Sequence, residues 1–312
     1  MSDADAQRAA RIEQARTLFH SVPADVLVRR IARLFNLVED GPDRFHYPAA
    51  RTPTRARLFG GQVIAQAMMA AARTVDPARP IHSLHSYFLR GGTETLPLDF
   101  EVHRDMDGGS FSNRRVVVRQ GDEVIFNLTA SFQRRAEGLT HQRPMPDVLP
   151  PEDCMDFAAA AVAHDDLSDE LLAQIAQPRP FEMRGVRPRP GEDATGQYQW
   201  FRLRGDMGDD PLLHRAFLAF ASDMGLLSTS MIPHGMVWTT PGLMSTSLDH
   251  AMWFHADVRV DEWFVYIMDS DWSGGERGIN HGRIYTRDGR LVATAAQEGL
   301  LRYRPPAEPV AG

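Results

Sequence analysis

The chain repeats itself, and that repetition constrains its fold more than any other feature. Gly108 and Gly109 recur as Gly274 and Gly275 at an offset of 166; His85, Phe88 and Leu89 recur as His250, Trp253 and Phe254 at 165; Ala130 falls on Gln297 at 167. A near-constant offset across strands and turns is the mark of an internal duplication. Each copy also runs in the same order. A strand (44–48, then 197–204) is followed by a long apolar helix (58–73, then 212–227). Four segments rich in β-branched and aromatic residues come next, at 82–90, 98–104, 111–119 and 123–134 in the first copy and at 245–255, 263–270, 282–287 and 291–302 in the second. A helix apolar on most sides must be buried on most sides, so each copy predicts an α+β unit in which an antiparallel sheet wraps a central helix. The expected layout is an N-terminal extension (1–22), a first domain (23–135), a proline-rich linker with a short helix in it (136–190), a second domain (191–305) and a tail (306–312).

Within the second helix one polar residue stands on the wrong side. Asp223 shares a face with Ala216, Ala219, Phe220, Leu226 and Leu227, the stripe that packs into a core. A carboxylate taken out of water is held by donors or shifts its pKa; the plain alternative is an acid at a helix end that reaches solvent. Two more polar residues interrupt apolar patterns downstream: Ser247, read as opening the strand 247–255, and Gln297, in the middle of the last strand. An acid, a hydroxyl and an amide can together hold one water, the carboxylate accepting its proton. Each of the two also has an ordinary reading as a strand surface residue. The first helix opens on Gly60 and Gly61, with Gln62 and Gln66 one turn apart. Paired glycines let another group come close, and the first amides of a helix suit an oxyanion or carbonyl, although a simple change of chain direction also uses them. Asp223 has no acidic counterpart in the first helix, where the equivalent region, 67–72, is apolar, so one catalytic half is expected.

Composition removes several function classes. A formal charge of −7 and a pI near 5.9 give no basic face for nucleic acid. The single cysteine, Cys154, excludes an intramolecular disulfide and a cysteine-based zinc site, and fits a reducing, cytoplasmic compartment. No apolar run is read as approaching the roughly 18 residues of a membrane span, and neither terminus carries a recognisable address.

The strings LFGGQVIAQA, HSLHSYFLRGG, SFSNRRVVVRQ, TASFQ, ASDMGLL, SLDHAMWFH, DEWFVY and VATAAQEGLLR, spread from Val26 to Arg302, resemble those of the type II acyl-CoA thioesterases. The resemblance implies two tandem hotdog domains and hydrolysis of fatty acyl-CoA to free acid and CoA. It carries the family's aspartate, hydroxyl and glutamine onto Asp223, Ser247 and Gln297. Many relatives have threonine where this chain has Ser247, so the hydroxyl is kept without the methyl that restricts its rotation. Direct attack by an activated water is implied, with helix-start amides or Gln297 at the oxyanion. Gly60, Gly61 and Gln62 are candidate substrate contacts, and Arg114, Arg115 and Arg277 candidate partners for the phosphates of CoA. No cofactor, metal or membrane insertion is expected; a homo-oligomer is. Two alternatives stay open: a hotdog hydratase or dehydratase using an acid with His250 or its counterpart His85, and an acyl-CoA-binding protein without turnover. A serine hydrolase is disfavoured, because the chain contains no G-x-S-x-G.

Overall fold

The computed structural model describes residues 3–51, 57–156, 159–160, 176–186 and 195–305. The expected tail, and most of the expected linker helix, lie outside them. Two helices lead the chain: α1 (Asp3–Phe19), then α2 (Ala24–Leu34), which buries Leu27, Val28 and Ile31. The first copy follows as β1 (Val38–Glu39), β2 (Arg44–Tyr47), α3 (Gly60–Ala72), β3 (Ile81–Phe88), β4 (Leu98–Asp107), β5 (Phe111–Gln120) and β6 (Glu123–Gln133). The second comprises β7 (Phe181–Val186), β8 (Gly196–Leu203), α4 (Pro211–Ser222), a 3-10 helix (Leu227–His234), β9 (Leu243–Ser247), β10 (Asp249–Phe254), β11 (Phe264–Gly274), β12 (Arg277–Thr286) and β13 (Leu291–Tyr303).

All the strands join one antiparallel sheet, ordered β1-β2-β4-β5-β6-β3-β10-β13-β12-β11-β8-β7, with β9 on β13. Read outward from its middle, the path β3-β6-β5-β4-β2-β1 has the same order as β10-β13-β12-β11-β8-β7. The two copies therefore meet at β3 and β10, where His85 lies opposite Ala251. Each half encloses its own helix, and α3 packs on α4. This is the tandem hotdog arrangement.

The sheet corrects the register of the repeat by one residue. His85 faces outward and His250 inward, so an offset of 165 pairs opposite faces of the sheet. Leu84 is opposite Ala130, and Arg114 is opposite that alanine on its other side. In the second half His250 stands next to the Ala251 and Ala296 pair, hence opposite Gln297, which has Asn280 on its other side. Leu84, Ala130 and Arg114 thus correspond to His250, Gln297 and Asn280.

Three further differences have local causes. Phe181–Val186, expected to end the linker, is a strand because Phe181 is apolar and buried, stacked 6.0 Å from Phe220 of α4. The second helix stops at Ser222 rather than Leu227: Asp223 caps its C-terminus and Gly225, at φ +81°, turns the chain left-handed. Its start is set by Asp210, whose carboxylate accepts from Leu212 N at 2.9 Å, and by Pro211 in the first turn. Finally, Pro211–His234 has a mean hydropathy of 1.2 over an 18-residue window, contrary to the reading that no run comes near a span; 67% of that window is buried inside the protein, as a core helix.

Candidate active site

Asp223, Ser247 and Gln297 lie far apart in sequence, and the fold brings them together. Gln297 points inward from β13 and is 0% exposed. Its Nε2 donates to Asp223 Oδ1 at 2.7 Å and to Ser247 Oγ at 3.0 Å. The other carboxylate oxygen, Asp223 Oδ2, accepts from the backbone N–H of Gly61 at 2.9 Å. Gly61 belongs to the first half, so both halves build the site.

Each position has a structural cause. Gly61 is the second residue of α3, and its N–H is among the helix-start donors that lack an intrahelical partner. The carboxylate can reach it because the neighbouring residues have no side chains. A Cβ on Gly60 would stand 2.7 Å from Asp223 Oδ2, and one on Gly61 would collide with Phe220 O. Asp223 therefore sits between the C-terminus of α4, which disfavours its charge, and the N-terminus of α3, which favours it.

Ser247 does not open β10; it ends β9, and the two are one strand interrupted at Leu248. Ser247 is opposite Gly299 while Ala251 is opposite Ala296, a one-residue slip that defines a bulge. On β10 the even-numbered residues His250, Met252 and Phe254 face inward. Without the slip Ser247 would face outward; with it, the hydroxyl meets Gln297.

Burial raises the Asp223 carboxyl to a pKa of about 6, against the pull of its hydrogen bonds from Gln297 and Gly61. The residue keeps partial solvent contact although protein surrounds the carboxylate closely. The close surroundings of the carboxylate govern its proton equilibrium. Next to it, His250 Nε2 lies 2.9 Å from Ser222 Oγ, and burial lowers its imidazole to about 4, so it is neutral near pH 7. Tyr266 donates its hydroxyl to Ser222 O at 3.0 Å, tying down the end of α4.

The other expected contacts divide. Gly61 holds the aspartate rather than substrate. Both N–H groups of Gln297 Nε2 are engaged, so neither of these oxyanion candidates is free. Gln62 turns along its own helix, Nε2 to Gln66 Oε1 at 3.4 Å, not toward Asp223. Arg114 is 1% exposed and is no phosphate ligand: it binds Thr74 O and Oγ1, the carbonyls of Met106 and Asn113, and Asp107, which uses every donor. Arg115 pairs with Asp105 on the outer face of the first half, and Arg277 with Glu298 at 3.2 Å, its guanidinium still half exposed. A cleft of about 1110 Å³ opens near the start of α4; of the arginines that line it, Arg202, Arg259 and Arg287 already pair with Glu182, Asp209 and Glu152, and Arg290 lies beside them. That end of the helix is about 18 Å from Asp223.

Sequence reasoning missed the Gly61 contact, the bulge, Tyr266 and Asn280. The Gly-Gly pair was visible but was assigned to substrate. Asn280 was detectable, since Gly278, Asn280 and Gly282 occupy the inward phase of β12.

The fold alone defines a tandem hotdog protein, and sequence comparison narrows the class. Residues 173–300 match the acyl-CoA thioesterase family and residues 48–133 the acyl-CoA thioesterase N-terminal domain. Mouse acyl-coenzyme A thioesterase 8 is 39% identical over 300 residues, covering 90% of each chain. Acyl-CoA thioesterase 2 of Haemophilus influenzae is 35% identical, over 79% of this chain and 88% of that one. The crystal structure of the acyl-CoA thioesterase II TesB2 from Mycobacterium marinum superposes with a TM-score of 0.73 at 37% identity, covering 90% of this chain and all of that one. The chain belongs to the type II acyl-CoA thioesterases, and is a thioester hydrolase.

Proposed function

We propose that the protein hydrolyses fatty acyl-CoA by direct attack of a water that Asp223 deprotonates and that Ser247 and Gln297 position. The observation that carries this reading is the convergence of three residues from α4, β9 and β13, with the carboxylate poised near neutrality. Gln297 and Gly61 hold the carboxylate with one lone pair of each oxygen still free. Ser247 accepts from Gln297, so its own O–H is free to donate to the water. The water oxygen bonds to the thioester carbonyl carbon as its proton passes to Asp223. The C–S bond then breaks, and the proton leaves with the thiolate, whose moderate basicity makes it a good leaving group. No acyl-enzyme forms. Of Arg114, Arg115 and Arg277, Arg277 stands as the candidate for a CoA phosphate, on its half-exposed side chain at the start of β12.

The test is CoA release from acyl-CoAs of increasing chain length, with wild type beside Asp223→Asn. We expect turnover by the wild type and a loss of about 100-fold or more in the variant. Binding without turnover by either would replace this reading with that of a non-catalytic acyl-CoA-binding protein. The proposal also places the enzyme in the cytoplasm, on its single cysteine, and as a homo-oligomer, for which Tyr87 and Trp253 offer exposed apolar surface beside the seam. Light scattering of the purified chain gives the oligomeric state.

A further inference from the structure

Beneath the site runs a row of three buried polar residues, one on each of three adjacent strands: His250 on β10, Gln297 on β13 and Asn280 on β12. All are 0% exposed. Each also keeps one polar atom without a protein partner: His250 Nδ1, Gln297 Oε1 and Asn280 Oδ1. Their other polar atoms are engaged. His250 Nε2 meets Ser222 Oγ, Gln297 Nε2 holds Asp223 and Ser247, and Asn280 Nδ2 donates to Gln297 O at 3.2 Å. The first half has nothing similar: its corresponding row is Leu84, Ala130 and the fully bonded Arg114. An unpaired buried polar atom is rare because it is costly, and three on neighbouring residues call for a shared partner. Water has the matching valence, since buried waters take two to four bonds in polar sites.

We propose that this row encloses ordered waters which donate to Gln297 Oε1, Asn280 Oδ1 and His250 Nδ1, the imidazole giving its one N–H, on Nε2, to a Ser222 hydroxyl that itself donates to Ala219 O, and that Asn280 and His250 are thereby positioning residues for the hydrolysis. The inference rests on the reading of Asp223 as the base. Water bonded to the amide oxygen pins the Gln297 side chain against rotation. It also polarises the amide, so that the N–H groups facing Asp223 and Ser247 become stronger donors, an effect of roughly 10–30% per bond. The ionised form of Asp223 gains from both. Tyr266 on β11 is the titratable group that feels the charge of that carboxylate, and His250 on β10 reaches Ser222, the residue before it; the groups that bond the carboxylate or its glutamine, Gly61 of α3, Gln297 of β13 and Ser247 of β9, do not titrate.

Asn280→Leu keeps the branched shape of the side chain, removes the polar atoms and fills the space of the water with methyl groups. It should lower kcat by roughly 10-fold with KM changed less than about 2-fold, and move the acidic limb of the rate profile upward by about half a pH unit or more. Asn280→Ser, which leaves room for water, should recover most of both. In a Gln297→Ala background the Asn280→Leu change should have no further effect on rate, because it acts through that amide. A folded Asn280→Leu enzyme with wild-type kcat and an unmoved acidic limb overturns the proposal, as does an undiminished effect without Gln297. Should the variant not fold, a high-resolution crystal structure of the wild type decides: density for water within about 3 Å of Gln297 Oε1 supports the row, and a direct protein contact there overturns it. A wild type that releases no CoA from any acyl-CoA sinks the hydrolysis itself, an outcome separate from what that density shows.

Discussion

Asp223 and His250 titrate in opposite senses, and their opposition gives the site a stability signature. The folded carboxyl has a pKa of about 6 against an ordinary 3.8, so the native state binds the extra proton, and its contribution to stability is lost as pH rises through that window. The folded imidazole has a pKa of about 4 against 6.5, so its contribution is present above 6.5 and lost as pH falls toward 4. Between about pH 4 and 6 the two slopes nearly cancel. In Asp223→Asn only the histidine slope remains, so relative to wild type the variant lacks the carboxyl's gain on going from pH 7 to 4.5 and its stability should fall by about 2 kcal/mol. Urea unfolding of both proteins at the two pH values measures this, and parallel behaviour would contradict the raised carboxyl. The wild-type rate should climb with pH through about 6. Gly61→Ala should destabilise by about 2 kcal/mol or more and reduce activity, since the added methyl strikes Phe220 O and pushes α3 away from Asp223. Arg114→Met should lower stability by about 2 kcal/mol, by leaving the buried Thr74 carbonyl without its donor, yet leave KM for acyl-CoA unchanged in the folded fraction. Chemical denaturation together with steady-state kinetics separates these outcomes.

Among the elements, the bulged strand β9–β10 and the glycines beneath it shape the half that carries Asp223, Ser247 and Gln297. Gly278 and Gly299 are cross-strand partners on the inward face, and any Cβ there would strike Ser230 or Leu227 of the 3-10 helix. Their bareness lets that helix lie against the sheet beside the site. Deleting Leu248 removes the extra residue of the bulge and puts Ser247 back in the outward phase of the strand. Activity should fall to about the level of Ser247→Ala, while the circular dichroism of the folded protein is kept; an active deletion variant would show that the bulge does not aim the hydroxyl. Much at this scale was legible, because α3 and the strand set follow from periodicity and turn residues. The bulge was not: a single extra residue leaves hydropathy almost unchanged, and only the pairing on each side reveals it. β7 was hidden for another reason, as three apolar residues, Phe181, Met183 and Val186, between prolines read as linker until Phe220 is there to pack on Phe181.

For the whole molecule, the seam between β3 and β10 joins the two halves in one candidate site, since Gly61 from one holds Asp223 of the other. Residues 176–305 expressed alone should therefore release no CoA, and co-expression with residues 1–135 should restore turnover if the halves re-form the seam; activity of the isolated second half would show that Gly61 is dispensable. By itself, the sequence determined the duplication, the helix-in-sheet architecture of each copy, and the three residues that interrupt its apolar patterns, because periodicity and burial are written locally. It could also tell that the acid belongs to one half only, from the alanines at its counterpart. Only the tertiary structure decided the rest. Which face His250 takes depends on strand pairing, whether Arg114 is free depends on partners from a different element, and the second role of the Gly-Gly turn depends on a carboxylate 162 residues away. Hydrogen bonds between distant segments hold only within a few tenths of an ångström of their preferred length, and no local pattern of residue types encodes distance to that precision.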